Sequence, residues 1–224
     1  MSGKEFTPAL GYGFLTPVYD LAVGLLTRER RWRSELVRQI DPQPGDRILD
    51  VGCGTGSLLV RLGQLEPEAE LIGLDPDPEV LRIAEAKALR KSIDVAWIEG
   101  FLNDDATRDI GNVSKVVSSL VFHQTPPDEK ARILSAMQSI LADGGNLYIA
   151  DYGMQRSRLM RTAFRGTVQA IDGIEDTQPN ADGCLPAMMQ EAGFEAVREN
   201  MAIGTLTGSI SIYSAACCPR ENDV

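Results

Sequence analysis

The chain has 224 residues, of which 43% are hydrophobic and 24% charged, and this composition is typical of a folded globular protein rather than a disordered or fibrous one. Thirty-two acidic residues against 22 basic ones give a formal net charge of −10, which disfavours nucleic acid and anionic membranes as partners. With one histidine and no C-x-x-C pair among four cysteines, the sequence offers too few ligands for zinc, so we expect a reduced, cytoplasmic protein without a metal.

The first 44 residues carry two helical patterns, around Val18 to Leu26 and Arg28 to Ile40. The apolar stretch over residues 9–26 is interrupted by Gly11, Gly13, Pro17 and Asp20, so it predicts neither a signal peptide nor a membrane span. We expect residues 1–44 to form a helical lid, because functional segments on α/β scaffolds lie outside the core.

Residues 45–151 alternate short apolar runs with helical patterns. Strands are predicted at Ile48–Val51, Leu71–Leu74, Val95–Ile98, Lys115–Phe122 and Leu147–Ala150. Asp77 and Pro78 begin the helix after the second strand, and Gly144 and Gly145 are predicted to end the helix that follows Pro127. Apolar strands that are each followed by a helix predict a doubly wound, mostly parallel α/β sheet, and we assign this core to cofactor binding.

The end of the chain has a different pattern. Residues 208–214 alternate polar and apolar side chains, which predicts an antiparallel edge strand with one solvated face, paired with residues 196–203. Together with a last helix these strands make up residues 186–224. Residues 152–185, between the fifth strand and that helix, are predicted to form a substrate insertion. Since no linker or repeat divides the chain, residues 1–224 are expected to form a single domain.

A glycine-rich motif, Gly52-Cys53-Gly54-Thr55-Gly56, follows the first strand directly and leads into a helix. Glycines permit positive φ and let a ligand lie against the backbone, next to the free N–H groups of the helix. The third glycine comes one position too early for a dinucleotide fingerprint, and the Walker Lys-Ser/Thr is absent. Asp75 ends the second strand, where this fold places an acid against ribose hydroxyls; alternatively, Asp75 only stabilises the turn before Pro76.

These residues resemble the class I S-adenosylmethionine-dependent methyltransferases through LDVGCGTG (Leu49–Gly56), Asp75 and GGNLYIADYG (Gly144–Gly153), over about residues 15–217. The resemblance implies a Rossmann-like, seven-stranded sheet with an antiparallel last strand, and S-adenosylmethionine as cofactor, released as S-adenosylhomocysteine. It implies cofactor contacts from Gly52, Gly54, Gly56, Asp75 and Ser119. The other candidate cofactor-binding residues are Asp50, Pro76, Phe101, Leu102 and Tyr19. Phe101 departs from the family pattern, because an acid near the adenine amino group usually follows the third strand there.

The acceptor is less defined than the cofactor. The segment Val18-Tyr19-Asp20 and the glycine motif are similar to quinone-biosynthesis C-methyltransferases, but the Phe-Gly-x-Arg-Asn segment of that group is missing after the fourth strand. The Asn/Asp-Pro-Pro-Tyr signature of amino-methylating enzymes is absent too. We therefore expect a small-molecule acceptor, methylated at oxygen, nitrogen or carbon. Tyr19 is an aromatic candidate to close over the sulfonium, although it also falls in register with ordinary amphipathic packing.

His123, the sole histidine, lies at the predicted carboxyl end of the fourth strand. In-line methyl transfer requires alignment and water exclusion, and a base helps only if the acceptor must lose a proton. His123 is the candidate base; alternatively, it is a structural histidine in the turn before Pro126. Tyr152, Arg158 and Arg161 are candidate substrate-binding residues, because guanidinium groups suit an anionic acceptor, whereas the alternative is a solvated helix face.

Two other functions compete with methyl transfer. One is a non-catalytic S-adenosylmethionine-binding or scaffold protein that has kept the glycine motif. The other is a nicotinamide-dependent oxidoreductase, which the displaced third glycine disfavours. The sequence predicts no oligomeric state.

Overall fold

The computed structural model describes residues 27–217, so the predicted helix at Val18–Leu26 and the candidate residue Tyr19 lie outside the described residues. The strands are β1 (Arg47–Val51), β2 (Glu70–Asp75), β3 (Ala96–Glu99), β4 (Val113–Ser119), β5 (Leu141–Tyr152), β6 (Phe194–Thr205) and β7 (Gly208–Cys217). The helices are α1 (Glu29–Ile40), α2 (Ser57–Leu65), α3 (Pro78–Leu89), α4 (Asp104–Ile110), α5 (Pro127–Ile140), α6 (Arg158–Gly166), α7 (Val168–Asp172), α8 (Ile174–Asp182) and α9 (Leu185–Glu191).

The seven strands form one sheet in the order β3-β2-β1-β4-β5-β7-β6. Strands β1 to β5 pair in parallel, and β7 runs antiparallel to both of its neighbours, β5 and β6. The predicted doubly wound, mostly parallel sheet with an antiparallel last strand is therefore confirmed. Its strand order reverses between β1 and β4, and ligands bind at such a switch point in open α/β sheets.

Apolar side chains cover both faces of the sheet, because successive strand residues point to opposite sides. Leu49 and Val51 pack on one face with residues of α4, α5 and α9. Ile48 packs on the other face with Trp32 of α1 and with residues of α2, α3 and α6. The helices of the two layers thus leave only the strand ends accessible at the switch point.

Strand β4 is shorter at its end than predicted, and the boundary at Phe122 was wrong. The strand ends at Ser119, because Leu120 has a φ of 58° and leaves the extended conformation. Phe122–Gln124 form a turn of 3₁₀ helix. His123 consequently lies just beyond the strand, in a turn that leads to α5. The third strand also begins one residue later than predicted, at Ala96.

Helix α5 ends at Ile140, so the prediction that Gly144 and Gly145 terminate it was wrong. Both glycines lie within β5, where the pairing register with β4 shifts. Gly144 has a φ of 74°, and a side chain on Gly145 would meet the Ser114 carbonyl oxygen on β4. The glycines therefore accommodate an irregular pairing rather than a helix end.

Strand β7 lies between β5 and β6, so the prediction that it forms a solvated edge was also wrong. Its polar residues Ser209 and Ser211 are buried, and each is hydrogen-bonded to a distant side chain. The Ser209 N–H donates to Gln155, and the Ser211 hydroxyl donates to Glu199. Strand β6 is the edge strand instead.

Candidate functional site

The glycine motif forms a tight bend between β1 and α2. All three glycines adopt positive φ, 73° at Gly52, 51° at Gly54 and 68° at Gly56. The N–H groups of Gly52 and Cys53 both donate to the Leu74 carbonyl oxygen, at 2.8 and 3.1 Å. The bend is thereby fixed to the end of β2, which is the strand that carries Asp75.

The three glycines have different surroundings. A Cβ atom on Gly52 would overlap the side chain of Val121, and one on Gly56 would overlap Trp97. A Cβ on Gly54 would have no atom within 4 Å. Gly52 and Gly56 therefore permit close packing within the protein, whereas Gly54 exposes backbone to open space where a ligand can lie.

Asp75 holds the bend from the side of β2. The Gly54 N–H donates to its Oδ2 at 2.8 Å, and the Asp77 N–H donates to its Oδ1 at 3.0 Å. Burial raises the pKa of Asp75, and these two N–H groups act against that rise. The turn-stabilising role considered from the sequence is thus present. Each oxygen keeps a further lone pair for a ribose hydroxyl, and Pro76 follows directly, partly buried.

A lysine that sequence analysis did not single out supports the same bend. Lys87 on α3 donates from Nζ to the hydroxyls of Thr55 at 2.9 Å and Ser57 at 2.6 Å. Both hydroxyls belong to the turn that begins α2, so Lys87 ties this turn to the neighbouring helix. No pattern in the sequence signals this contact, because it depends on how α2 and α3 pack.

Asp50 is a buried carboxylate two residues before the bend, which begins at Gly52. It is 1% exposed, and neither of its oxygens has a hydrogen-bond partner among residues 27–217. Burial raises the pKa of Asp50 to about 7, the charge of Arg33 opposes that rise, and Asp75 adds to it. Because burying a carboxylate without a partner is costly, this residue suits a cationic group supplied by a ligand.

The candidate adenine-binding residues lie at the end of β3. Phe101 is 53% exposed, whereas Leu102 is buried in the core. The Asn103 side chain accepts from the N–H groups of Asp105 and Ala106 and so caps α4. The exposed face of the Phe101 ring can therefore pack against a flat ring such as adenine. Leu102 lies in the core below this position. Ser119, partly buried, ends β4 on the other side of the bend.

His123 is 6% exposed and lies between two carboxylates. Its Nδ1 is 2.8 Å from Asp151 Oδ1, and its Nε2 is 3.6 Å from Asp172 Oδ2. Asp151 also accepts from the N–H groups of Phe122 and Tyr152, both at 2.7 Å, which fix its orientation. A carboxylate only accepts hydrogen bonds, so Nδ1 is the donor and Nε2 is the nitrogen that faces the rest of the site.

The electrostatics of His123 favour its charged form. Burial would lower the pKa of the imidazole, but Asp151 and then Asp172 outweigh it, so that the pKa is raised to about 9. Asp172 was not predicted from the sequence. It belongs to the short helix α7 and reaches His123 only through the tertiary fold.

The candidate substrate residues occupy different positions. Tyr152 is buried, with its ring 5.0 Å from His123 and 5.1 Å from Phe164, and its hydroxyl lies 2.6 Å from the Thr207 hydroxyl. Arg158 and Arg161 are exposed on α6, and Arg161 pairs with Asp182 at 3.0 Å. The fold therefore brings Tyr152 to His123 but leaves both arginines at the surface.

Lys130 is a second buried cation that sequence analysis missed. It is 0% exposed, and its Nζ donates to the Asp176 carbonyl oxygen at 2.7 Å, which ties α5 to α8. Burial lowers its pKa, and Asp151 is among the negative charges that act against this. Lys130 thus stabilises the attachment of the insertion next to the His123–Asp151 pair.

Within residues 27–217, no group of three or more histidine, cysteine or acidic side chains is arranged to bind a metal ion. In the same range, no helix combines the length and apolar character needed to cross a bilayer. Cys53 and Cys184 are free thiols.

Comparisons with known proteins extend these observations. A family model described as a methyltransferase domain matches residues 48–145. The demethylmenaquinone methyltransferase of Thermus thermophilus is 32% identical over 209 residues, which cover 85% of this chain and 94% of that protein.

Two further similarities are partial. A ubiquinone/menaquinone biosynthesis C-methyltransferase of a Geobacter species (strain M21) is 27% identical over 150 residues, which cover 63% of this chain, and the chain spans 61% of that protein's length. An O-methyltransferase family protein of Burkholderia thailandensis has the same fold, with a TM-score of 0.66 and 17% identity over 85% of this chain and 57% of that one.

Proposed function

Because the chain belongs to the class I S-adenosylmethionine-dependent methyltransferases, we propose that it transfers the methyl group of S-adenosylmethionine to a small-molecule acceptor. The observation that carries this proposal is the open backbone at Gly54 between two buried carboxylates, Asp50 and Asp75. The first would accept from an amino group, the second from ribose hydroxyls. Family membership gives no support to the nicotinamide-dependent alternative.

The residues present fit this cofactor. The unpartnered carboxylate of Asp50 suits the ammonium of the cofactor's amino acid, and Gly54 leaves room for the chain that follows. We propose that Asp75 and Pro76 hold the ribose, and that Phe101 and Leu102 pack against the adenine. Gly52, Gly56 and Ser119 would shape this proposed cofactor-binding site, which we call the cofactor seat. When bound, S-adenosylmethionine would supply a methyl group on a sulfonium: the acceptor would form a bond to the methyl carbon in line with the breaking carbon–sulfur bond, and S-adenosylhomocysteine would leave.

His123 is proposed as the base that removes the acceptor's proton. Its Nδ1 donates to Asp151, which fixes the ring and leaves Nε2 to receive the proton. The pKa of about 9 means that the ring is charged at neutral pH while Asp172 lies against it. An acceptor that displaces Asp172 from Nε2 would lower this pKa and generate the base where it is needed.

The acceptor is proposed to be a hydroxylated aromatic or quinol-like ring. Tyr152 and Phe164 form an aromatic, buried wall beside His123, and an ionisable hydroxyl is the group that a histidine base serves. The related proteins named above act on menaquinone or ubiquinone precursors according to their names, which agrees with a ring acceptor. Arg158 and Arg161 would act at the entrance on an anionic substituent. The free thiols of Cys53 and Cys184 support a reducing, cytoplasmic location.

The test is transfer of a radiolabelled methyl group from S-adenosylmethionine to two acceptor panels, hydroxylated aromatic rings and primary amines. We expect label in the hydroxylated rings and its loss in His123→Gln. Binding of S-adenosylhomocysteine should persist in that variant. Tight cofactor binding without turnover on either panel would instead identify a non-catalytic binding protein.

A further inference from the structure

Helix α1 places an arginine over the face of the sheet to which Asp50 points. Ile48 and Asp50 are two residues apart on β1, so their side chains leave the same face. Ile48 packs with Trp32, Leu36 and the rest of the buried side of α1. Asp50 therefore projects beneath α1, two residues before the glycine bend begins at Gly52.

Arg33 follows the buried Trp32 on α1, and its guanidinium carbon lies 5.1 Å from the Trp32 ring centre. One terminal nitrogen pairs with Glu29 at 2.6 Å. The Nε atom, in contrast, is buried and has no acceptor in the described part of the chain. The arginine is thus held by its neighbours on α1 with one donor left unused.

Asp50 and Arg33 form an unusual combination. They are close enough to interact electrostatically, yet no hydrogen bond joins them among residues 27–217. A buried donor and a buried acceptor that are both unsatisfied cost stability, so their presence in a folded protein calls for an explanation, and a ligand that pairs with both supplies one. The ligand that satisfies both must present a cation and an anion close together.

We propose that Arg33 and Asp50 together recognise the zwitterionic amino-acid end of the cofactor, with Arg33 binding its carboxylate and Asp50 its ammonium. This inference rests on the cofactor seat proposed above and adds a residue and a specificity to it. A guanidinium suits a carboxylate better than an ammonium does, because its donors are planar and fixed. Both charges of the ligand would then be neutralised where water is excluded.

Calorimetric titration with two ligands tests the pair. S-adenosylhomocysteine carries the zwitterion, whereas 5′-methylthioadenosine has the same adenine, ribose and sulfur without it. Arg33→Met should weaken binding of S-adenosylhomocysteine about 10- to 100-fold, the usual effect of losing a hydrogen bond to a charged group. Binding of 5′-methylthioadenosine should be unchanged. Arg33→Lys should lose less affinity than Arg33→Met.

Arg31→Met is the matched control, since Arg31 is exposed on the same helix and has the same charge. It should leave both affinities unchanged. Equal affinity of the wild type and Arg33→Met for S-adenosylhomocysteine would overturn the inference while leaving the seat intact. Failure of the wild type to bind either ligand would instead overturn the seat.

The wild-type protein supplies a second measurement that needs no variant. Decarboxylated S-adenosylhomocysteine keeps the ammonium but lacks the carboxylate. It should bind at least about 10-fold more weakly than S-adenosylhomocysteine if Arg33 contacts that carboxylate. Equal affinities of these two ligands would contradict the inference even if Arg33→Met does not fold.

Discussion

Asp172 reaches from α7 so that its Oδ2 lies 3.6 Å from Nε2 of His123, the nitrogen that the proposed chemistry requires. Together with Asp151, the stronger influence, Asp172 raises the pKa of the imidazole to about 9 and so favours its charged form. We propose that an incoming acceptor takes the place of Asp172 at Nε2. The insertion, residues 152–185, thus contributes a residue that contacts His123, the proposed base. A charged histidine must lose its proton before it can act, so activity should increase with pH.

Asp172→Asn should move the rising limb of the pH–kcat profile to lower pH by about one unit. Asp172 raises the pKa of His123, and its neutral replacement removes that effect. Asp182→Asn is a control from the same insertion, because Asp182 pairs with Arg161 at the surface. If the rising limb of the pH–kcat profile lies at the same pH in Asp172→Asn and in the wild type, Asp172 does not control the protonation of His123.

His123→Gln should lower kcat by about 10²- to 10⁴-fold, the usual contribution of a general base. The affinity for S-adenosylhomocysteine should stay within about twofold, because His123 lies outside the proposed cofactor seat. Single-turnover assays and calorimetry measure the two quantities. Retained turnover with lowered stability would instead support the structural role of this histidine.

Asp75→Ala should weaken the binding of S-adenosylhomocysteine about 10- to 100-fold, because the ribose contacts and the hydrogen bond from the Gly54 N–H are both lost. Asp77→Ala is the control. Its side chain accepts from the Glu79 N–H and caps α3, so its loss costs about 1 kcal/mol of stability and leaves cofactor affinity unchanged. Unaltered affinity in Asp75→Ala would refute the ribose assignment.

Gly52→Ala should destabilise the protein by about 2 to 4 kcal/mol. The new Cβ overlaps Val121, and the φ of 73° is strained for any residue other than glycine. Adding Val121→Ala should restore part of the loss, because it removes the overlap and leaves the strain. Urea unfolding of the single and double variants measures both contributions to the lost stability, the overlap with Val121 and the backbone strain. No recovery in the double variant would mean that strain alone causes the loss.

Asp50→Asn should reduce the pH dependence of stability in the absence of cofactor. The pKa of Asp50 is about 7 in the folded protein against an ordinary 3.8. An acid whose pKa rises on folding lowers stability progressively between those two values, and the loss is complete above pH 7. The free energy of unfolding of the variant, relative to the wild type, should therefore rise by on the order of 3 kcal/mol between pH 4 and pH 8. A constant difference across this range would contradict the burial of an ionisable, unpartnered Asp50.

The fold was largely predictable, because its signals are local. The apolar strand at Ile48–Val51 and the helix start at Asp77 and Pro78 follow from residue type and spacing. The burial of β7 did not follow, because it depends on residues distant in sequence: Gln155 accepts from the Ser209 backbone N–H, and Glu199 accepts from the Ser211 hydroxyl. A polar alternation predicts a solvated face only when no such partners exist.

The site was predictable only in part, for the same reason. The bend and Asp75 are contiguous with strand ends, so a sequence pattern locates them. A sequence pattern does not locate Asp172 and Arg33, because their positions in the site depend on how α7 and α1 pack against the sheet. Arg33 appeared in the sequence only as one of several arginines, and its buried Nε is what distinguishes it.

A crystal structure of the complex with S-adenosylhomocysteine tests the central claim most directly. We expect the amino-acid arm alongside Gly54, its ammonium within hydrogen-bond distance of Asp50, and both ribose hydroxyls on Asp75. A complex in which the bend from Gly52 to Gly56 faces solvent, or in which the ribose lies away from Asp75, would contradict the account.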